Sequence, residues 1–377
     1  MIKLMHCADI HLDSPFASNR LDDAEQRRRE LRAAFAAMTV YARDNGVDLV
    51  LIAGDLFDAE YVTQDNAAFV RHCFAGAPEC RFIIAPGNHD PYTANSVYAQ
   101  TDWPGNVYIF DRPEMQCFHF DDIETDVYGY AFTSSVLKKY PLDGTAVNAP
   151  DRIQLLCAHG DLGKNESEYC PISMDSLMQN GFDYAALGHI HAGTEVSEAG
   201  GTRYAYSGCL MGRDFGEAGL KSAIIAAVEK TEGTVNAVFR RKAFTRRHYE
   251  TMILDVTGAQ TMTEILDLTS SRIRERGYEG DTMLRIRITG MLPSSMRLIP
   301  ATIADAVGAG LLECTVYDET LPIFDQKTME ADRSVRGEFL RRLTPLLSSE
   351  DEEERERAAL ALRYGIAALS QGRTLEL

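Results

Sequence analysis

The chain has 377 residues, 45% of them hydrophobic, and a net charge of −18, which is enough to bury a large core and to build two or three domains. No apolar run approaches the roughly 18 residues of a membrane span, and no signal-peptide core follows the first methionine, so neither a membrane-spanning helix nor a secreted protein is expected. The acidic balance speaks against a broad basic nucleic-acid surface, and eight cysteines without Cys-x-x-Cys spacing read as reduced thiols in a cytoplasmic protein.

The predicted elements begin at once. Ile2–Cys7 is a strand that runs into Asp9-Ile10-His11. Asp22–Asn45 reads as a helix, with Asp22 as N-cap, Glu25 three residues on and Gly46 as a stop. Its inward stripe is Leu31, Phe35 and Met38. The apolar run Val47–Ala53 precedes Gly54-Asp55-Leu56-Phe57-Asp58, and Thr63–Gly76 reads as a second helix. Arg81–Ala85 then precedes Gly87-Asn88-His89-Asp90. Short strand-like runs follow at 107–110, 116–120 and 127–130. Ile153–Cys157 precedes His159-Gly160, and Tyr184–Leu187 precedes Gly188-His189-Ile190-His191. Strands at 204–207, 222–228 and 235–239, separated by Gly, Pro and Asp, suit the second half of a sandwich.

Near Phe244 the pattern changes. A strand at 249–256, an amphipathic helix at 261–276, a strand at 283–288, a helix at 299–307 and a strand at 312–317 make a small α+β unit. From Asp325 the chain reads as helical and highly charged, with apolar faces on 336–347 and 352–369 around an acidic run at 349–356. The expected domains are therefore 1–243, 244–324 and 325–377.

Five motifs end five strands, and polar residues at strand ends converge on one edge of an α/β sheet. Among them are the three carboxylates of Asp9, Asp55 and Asp58, five histidines and an asparagine. Carboxylate, imidazole and amide oxygen suit Mn²⁺, Fe²⁺ or Zn²⁺, and the lack of motif cysteines argues against a closed structural zinc site. Paired ions lie roughly 3.5–4 Å apart and need a bridging carboxylate. Asp55 is the natural bridge. Asp9, His11 and His191 would complete one shell, and Asn88, His159 and His189 the other. His189 and His191 would point the same way on a strand, so the segment must turn, which Gly188 permits. Taken singly, a strand-end aspartate can be a helix cap and a buried histidine a core residue. Caps do not account for His11, His159, His189 and His191 together. His6, His72, His119 and His248 lie outside the motifs and read as structural or surface residues.

The five motifs in this order resemble the calcineurin-like metallophosphoesterases over about residues 1–240. The resemblance implies an α/β fold, a four-layer α/β/β/α metallophosphoesterase sandwich, here with a small α+β cap and a C-terminal helical segment. It implies phosphate-ester hydrolysis by in-line attack of hydroxide at two divalent ions. It also implies that His89 is the acid at the leaving oxygen, with Asp58 orienting it. Cys7–Pro15, Ala53–Asp58 and Pro86–Asp90 are similar to the SbcD-type DNA repair exonucleases, and Tyr206–Arg213 with Phe215-Gly216-Glu217 to their YhaO-like branch. Some members of that group carry histidine where this chain has Asp58.

On that resemblance the expected activity is a DNA exonuclease with two divalent ions, most readily Mn²⁺, with Fe²⁺, Zn²⁺ or Mg²⁺ as alternatives. The α+β unit would face DNA, and the terminal helices would dock an SbcC-like SMC-type coiled-coil ATPase. A homodimer is also in keeping with the resemblance. Arg213, Arg240 and Arg241 are the substrate-binding candidates, although basic residues on an edge strand also serve to block unwanted pairing. The competing expectations are a phosphodiesterase of cyclic or conjugated small nucleotides, which the acidic balance favours, and a scaffold for a partner ATPase.

Overall fold

Leu4, Met5, His6 and Cys7 are all buried, and a strand covered on both faces belongs in the middle of a sheet. The computed structural model describes residues 1–16, 21–58, 61–147, 151–164, 166–293, 296–323 and 331–371. In chain order its elements are β1 (Ile2–Cys7), α1 (Leu21–Asp44), β2 (Leu49–Ile52), α2 (Gln64–Ala75), β3 (Arg81–Ile84), α3 (Val97–Gln100), β4 (Val107–Ile109), β5 (Gln116–Phe120), β6 (Thr125–Gly129), β7 (Ile153–His159), β8 (Asp161–Leu162) and β9 (Pro171–Ile172). There follow α4 (Met174–Asn180), β10 (Tyr184–Gly188), β11 (Ser197–Ala199), β12 (Thr202–Tyr206), β13 (Ala223–Thr231), β14 (Thr234–Lys242), β15 (His248–Asp255), α5 (Met262–Arg276), β16 (Thr282–Thr289), β17 (Met291–Pro293), α6 (Pro300–Val307), β18 (Glu313–Asp318), β19 (Leu321–Ile323), α7 (Val335–Leu343) and α8 (Glu352–Gln371). Two compact units result, Met1–His248 and Tyr249–Leu377.

The first unit is a sandwich of two six-stranded sheets, ordered β14-β13-β1-β2-β3-β4 and β11-β12-β10-β7-β6-β5. β1 to β4 are mutually parallel, with β13 antiparallel to β1. In the second sheet β12, β10, β7 and β6 are parallel and the edges β11 and β5 antiparallel. The period-2 alternation sets the layers. Leu4, Leu49, Leu51 and Ile83 face Leu155, Cys157, Tyr184 and Ala186 between the sheets. Met5, Cys7, Val50, Ile52 and Phe82 turn outward onto Leu31, Phe35 and Met38 of α1 and Val70 and Phe74 of α2. On the far side Leu156, Ala185 and Leu187 meet Leu177 and Phe182. This is the expected α/β/β/α order. His6 crosses between the sheets, with Tyr184 Oη at 2.8 Å from Nδ1 and the Leu187 carbonyl at 3.1 Å from Nε2.

One sequence reading changes here. Asp22 lies inside the first turn of α1, which already holds Leu21, so it is not the N-cap. Thr63 does cap α2, its hydroxyl accepting from Asn66 N at 3.2 Å.

The second unit has a three-stranded sheet, β15-β16-β18. Met252, Leu254, Leu284, Ile286 and Val316 pack there with Ile265 and Ile273 of α5 and Ile303 of α6. The helix expected over 336–347 ends at Leu343, and Thr344–Ser348 tightens into a 3₁₀ turn. Pro345 accounts for this, because it lacks the N–H that the next α-helical bond needs. α7 and α8 pack on each other: a Cβ at Gly365 would strike the Phe339 ring at 2.1 Å. The residue named as the start of the third segment, Asp325, lies outside the described residues. Among the described residues no helix is long and apolar enough to cross a membrane.

Candidate metal centre

The motif residues collect where β1, β2, β3, β7 and β10 end. Parallel pairing aligns those ends: Cys7 pairs with Ile52, Ile52 with Ile84, and Gly188 with His159. The loops leave the strands at once. Asp9, His11, Asp55 and His189 take positive φ of 50°, 49°, 51° and 106°. For non-glycine residues such backbone costs about 1–3 kcal/mol each and persists only where neighbours over-determine it. They do so here. Asp9 N donates to the Gly54 carbonyl at 3.1 Å, and Ile10 N and His11 N both donate to the Asp55 carbonyl at 2.9 Å. His189 N donates to the Asp9 carboxylate at 3.0 Å. The turn between His189 and His191 is present, but its left-handed residue is His189, not Gly188. Gly188 serves by its size, because a Cβ there would lie 1.7 Å from the Ala53 carbonyl oxygen.

The side chains form two groups sharing Asp55. His11 Nε2 and His191 Nε2 are 3.2 Å apart, and His191 Nε2 is 3.9 Å from Asp9 Oδ1. Asn88 Oδ1 is 2.8 Å from His159 Nε2 and 3.2 Å from His189 Nδ1. Asp55 Oδ2 stands between them, 3.6 Å from His11 Nε2 and 3.4 Å from His159 Nε2. Asp9, His11, Asp55 and His159 are buried, with Asn88, His189 and His191 partly covered.

The donor set fits cations. The Ala53 carbonyl can only accept, so His159 Nδ1, 3.0 Å away, carries the proton. Burial holds the His159 ring below the ordinary imidazole value, so it is neutral and its Nε2 is a bare lone pair. That lone pair faces the Asn88 amide oxygen at 2.8 Å, two acceptors in contact. A positive ion between them removes the conflict. Burial likewise lowers His11 to about 3 and His189 to about 4. Asp9 is pushed well above the carboxylate range by burial and by Asp55. Burial also pushes Asp55 upward, but His159, His11 and His89 more than offset it. Neutral imidazoles around crowded carboxylates are what a divalent ion requires.

His89 stands beside this cluster. Its N–H donates to Asp55 Oδ1 at 2.9 Å, and its ring meets His11 edge-on at 4.9 Å between centroids. Its Nδ1 is 3.5 Å from Asp58 Oδ1, and its side chain is 48% exposed against 12% for Asp58.

A family model described as calcineurin-like phosphoesterase matches residues 2–193. The chain belongs to the calcineurin-like phosphoesterases. It is 29% identical over 333 residues to an uncharacterized metallophosphoesterase, YhaO, of Bacillus subtilis (strain 168), covering 84% of this chain and 79% of the relative. The protein is thus a phosphoesterase whose family binds divalent metals.

The three arginine candidates lie differently in this calcineurin-like unit. Arg213 Nη2 is 3.0 Å from His191 Nδ1 and 2.8 Å from Glu217 Oε1. Arg240 bonds the Tyr41 hydroxyl, and Arg241 Nη1 and Nη2 donate to the carbonyls of Ser207 at 2.8 Å and Tyr206 at 2.9 Å. Three further carboxylates escaped the sequence reading. Asp90 is buried under the loop, accepting from Gly87 N at 2.7 Å, Phe57 N at 3.0 Å and the Tyr98 hydroxyl. Its signal was its place right after Asn88-His89. Asp161, two residues beyond His159, has Oδ2 3.6 Å from His189 Nε2. Glu217 Oε1 is 2.5 Å from His191 Nδ1, and its signal was the Phe-Gly-Glu run quoted above.

Proposed function

We propose that this phosphoesterase is a Mn²⁺-dependent nuclease that shortens DNA from its ends, in concert with an SMC-like coiled-coil ATPase of the SbcC type. The observation that carries the reading is the half-exposed His89, paired with the largely buried Asp58, standing at the edge of a buried donor cluster. Two ions would be held by Asp9, His11, His191 and Asp55 on one side and by Asn88, His159, His189 and Asp55 on the other. Bound there, they supply Lewis acidity and lower the pKa of water.

The chain's own groups do the rest. The hydrogen bond to Asp58 is the largest influence raising His89 above the ordinary imidazole value, burial opposes it, and the Asp55 charge adds to it. The shift favours the protonated ring, the form that can deliver a proton to a leaving 3′ oxygen, a contribution of about 10²–10⁴ in rate. The His89 N–H bond to Asp55 Oδ1 fixes the acid relative to the shared carboxylate. The His89 side chain is 48% exposed, which leaves it open to a large substrate.

The size of the likeness to the Bacillus relative supports a role for the second unit. Its 333 aligned residues exceed the first unit, which ends at His248, so the likeness runs past the catalytic sandwich. The α7–α8 pair is the proposed ATPase contact. A second reading, hydrolysis of small nucleotide diesters, is favoured by one observation. Two arginines expected to meet phosphates make hydrogen bonds within the chain, Arg240 to Tyr41 and Arg241 to backbone carbonyls.

The test is degradation of an end-labelled linear duplex with Mn²⁺, alongside Asn88→Ala and a chromogenic small diester. Shortening from the ends by the wild type and none by the variant supports the nuclease. Cleavage of the small diester alone, unchanged by the candidate ATPase, refutes it in favour of the second reading.

A further inference from the structure

Glu217 belongs to none of the motifs, yet its carboxylate lies 2.5 Å from the His191 ring nitrogen Nδ1. It closes the 3₁₀ turn Phe215–Glu217, which Asp214 caps by accepting Gly216 N at 2.7 Å. Its carboxylate is saturated. Oε1 lies 2.5 Å from His191 Nδ1, 2.8 Å from Arg213 Nη2 and 3.1 Å from Arg213 Nε. Oε2 accepts from Arg213 N at 2.8 Å and faces Cys209 Sγ at 3.7 Å. The two loops are also tied through backbone, with Cys209 N donating to the His191 carbonyl at 3.2 Å.

His191 Nδ1 therefore has two neighbours with opposite demands. A carboxylate only accepts, so Glu217 requires a proton on Nδ1. A guanidinium only donates, so Arg213, 3.0 Å away, would require Nδ1 to be bare. One ring nitrogen cannot satisfy both. The 2.5 Å contact decides in favour of Glu217, because a bare Nδ1 that close to a carboxylate oxygen would set lone pair against lone pair. Arg213 then places its hydrogens on Oε1 instead. The consequence reaches across the ring. With the proton on Nδ1, Nε2 is bare and points toward His11 Nε2 and Asp9 Oδ1. In the other tautomer Nε2 carries hydrogen and cannot ligate.

We propose that Glu217 is a positioning residue that holds His191 in its Nδ1–H tautomer against the competing donor Arg213, keeping Nε2 available to a cation. Outer partners of this kind are worth about 10- to 100-fold in metal affinity. The proposal rests on His191 being a ligand, and it makes an unusual demand. Removing Glu217 alone should be worse than removing Glu217 and Arg213 together, because Arg213, freed of its carboxylate, imposes the wrong tautomer. A merely structural role predicts the reverse order.

The experiment uses the full chain. In chelated protein, ¹⁵N spectra of labelled histidine, with His191 assigned by its loss in His191→Gln, report the tautomer. Titration with Mn²⁺ alone reports affinity. Wild type should show Nδ1–H. Glu217→Ala should move to Nε2–H and bind Mn²⁺ about 10- to 100-fold more weakly. Arg213→Ala/Glu217→Ala should recover part of that loss. Glu217→Gln, which keeps an acceptor at the Oε1 position, should retain the tautomer. An unchanged tautomer in Glu217→Ala, or a double variant no better than the single one, overturns the proposal. A His191→Gln protein with wild-type Mn²⁺ affinity overturns the ligand reading beneath it, whatever the tautomer does.

Discussion

Gly188→Ala probes how closely the two sheets approach at the metal centre. A Cβ at Gly188 would lie 1.7 Å from the Ala53 carbonyl oxygen and 2.8 Å from the Ala8 Cβ. Real Cβ contacts essentially never fall below 3.0 Å, so one side must move by at least 3.0 − 1.7 = 1.3 Å. Ala53 cannot easily give. Its N–H donates to the Cys7 carbonyl at 2.9 Å, and its own carbonyl accepts from His159 at 3.0 Å. The end of β10 is left to shift and to carry His189 with it. Overpacking of this kind costs about 1–3 kcal/mol. Function suffers more, because ligand distances tolerate only about 0.2 Å and a 1 Å misplacement near chemistry costs on the order of 10²-fold. Urea unfolding of chelated protein should show the stability loss, and Mn²⁺-dependent hydrolysis of a chromogenic diester a loss of at least about 10²-fold. Gly105→Ala, where a Cβ meets nothing within 4 Å, is the control and should stay within about 0.5 kcal/mol of wild type. A Gly188→Ala protein with wild-type unfolding midpoint and turnover would refute the close approach and the placing of His189 that depends on it.

Three further outcomes are expected. His89→Ala should bind Mn²⁺ as wild type does and lose about 10²–10⁴ in turnover; calorimetric titration showing lost metal would contradict its place outside the ligand groups. Chelation should lower the thermal midpoint, since burial and mutual repulsion burden Asp9 beside Asp55, and Mn²⁺ at 100 times its Kd should restore about 2.7 kcal/mol. Asp126, on β6, feels burial pushing its pKa up, but hydrogen bonds from Arg152, Gln154 and His119 more than offset this and hold it below the carboxylate range. The stability it supplies is present above the unfolded value of roughly 4 and is lost as pH falls through the lower folded value. Urea unfolding should therefore find Asp126→Asn less stable at neutral pH but with a shallower loss below about pH 4; parallel curves would exclude this role for the pair with Arg152.

How much of this was legible depended on whether a residue's type or its conformation carried the information. The convergence of the donor side chains was legible by type, because carboxylates, imidazoles and an amide oxygen stand at successive strand ends. The longer strands and helices were legible by period: β5 runs from Gln116 to Phe120, as expected from the sequence. β8, β9 and β11, of two or three residues each, are too short to show any period. β11 forms on the edge offered by β12, and β8 and β9 form by pairing with each other. The turn at Gly188-His189 shows where inference by type fails. Glycine suggests freedom of φ, yet Gly188 sits inside β10 and His189 takes the left-handed backbone at 106°. The cause is remote. The Asp9 carboxylate, 180 residues away in sequence, holds the His189 N–H, and no local pattern could announce it. Glu217 stood in a run that was noticed, but its contact was hidden for the same reason, lying 26 residues from the ring. The strained backbones of Asp9, His11, Asp55 and His189 are thus held by contacts between distant loops. A substitution that loosens one loop should disturb ligands on the others, even where the altered residue touches no metal.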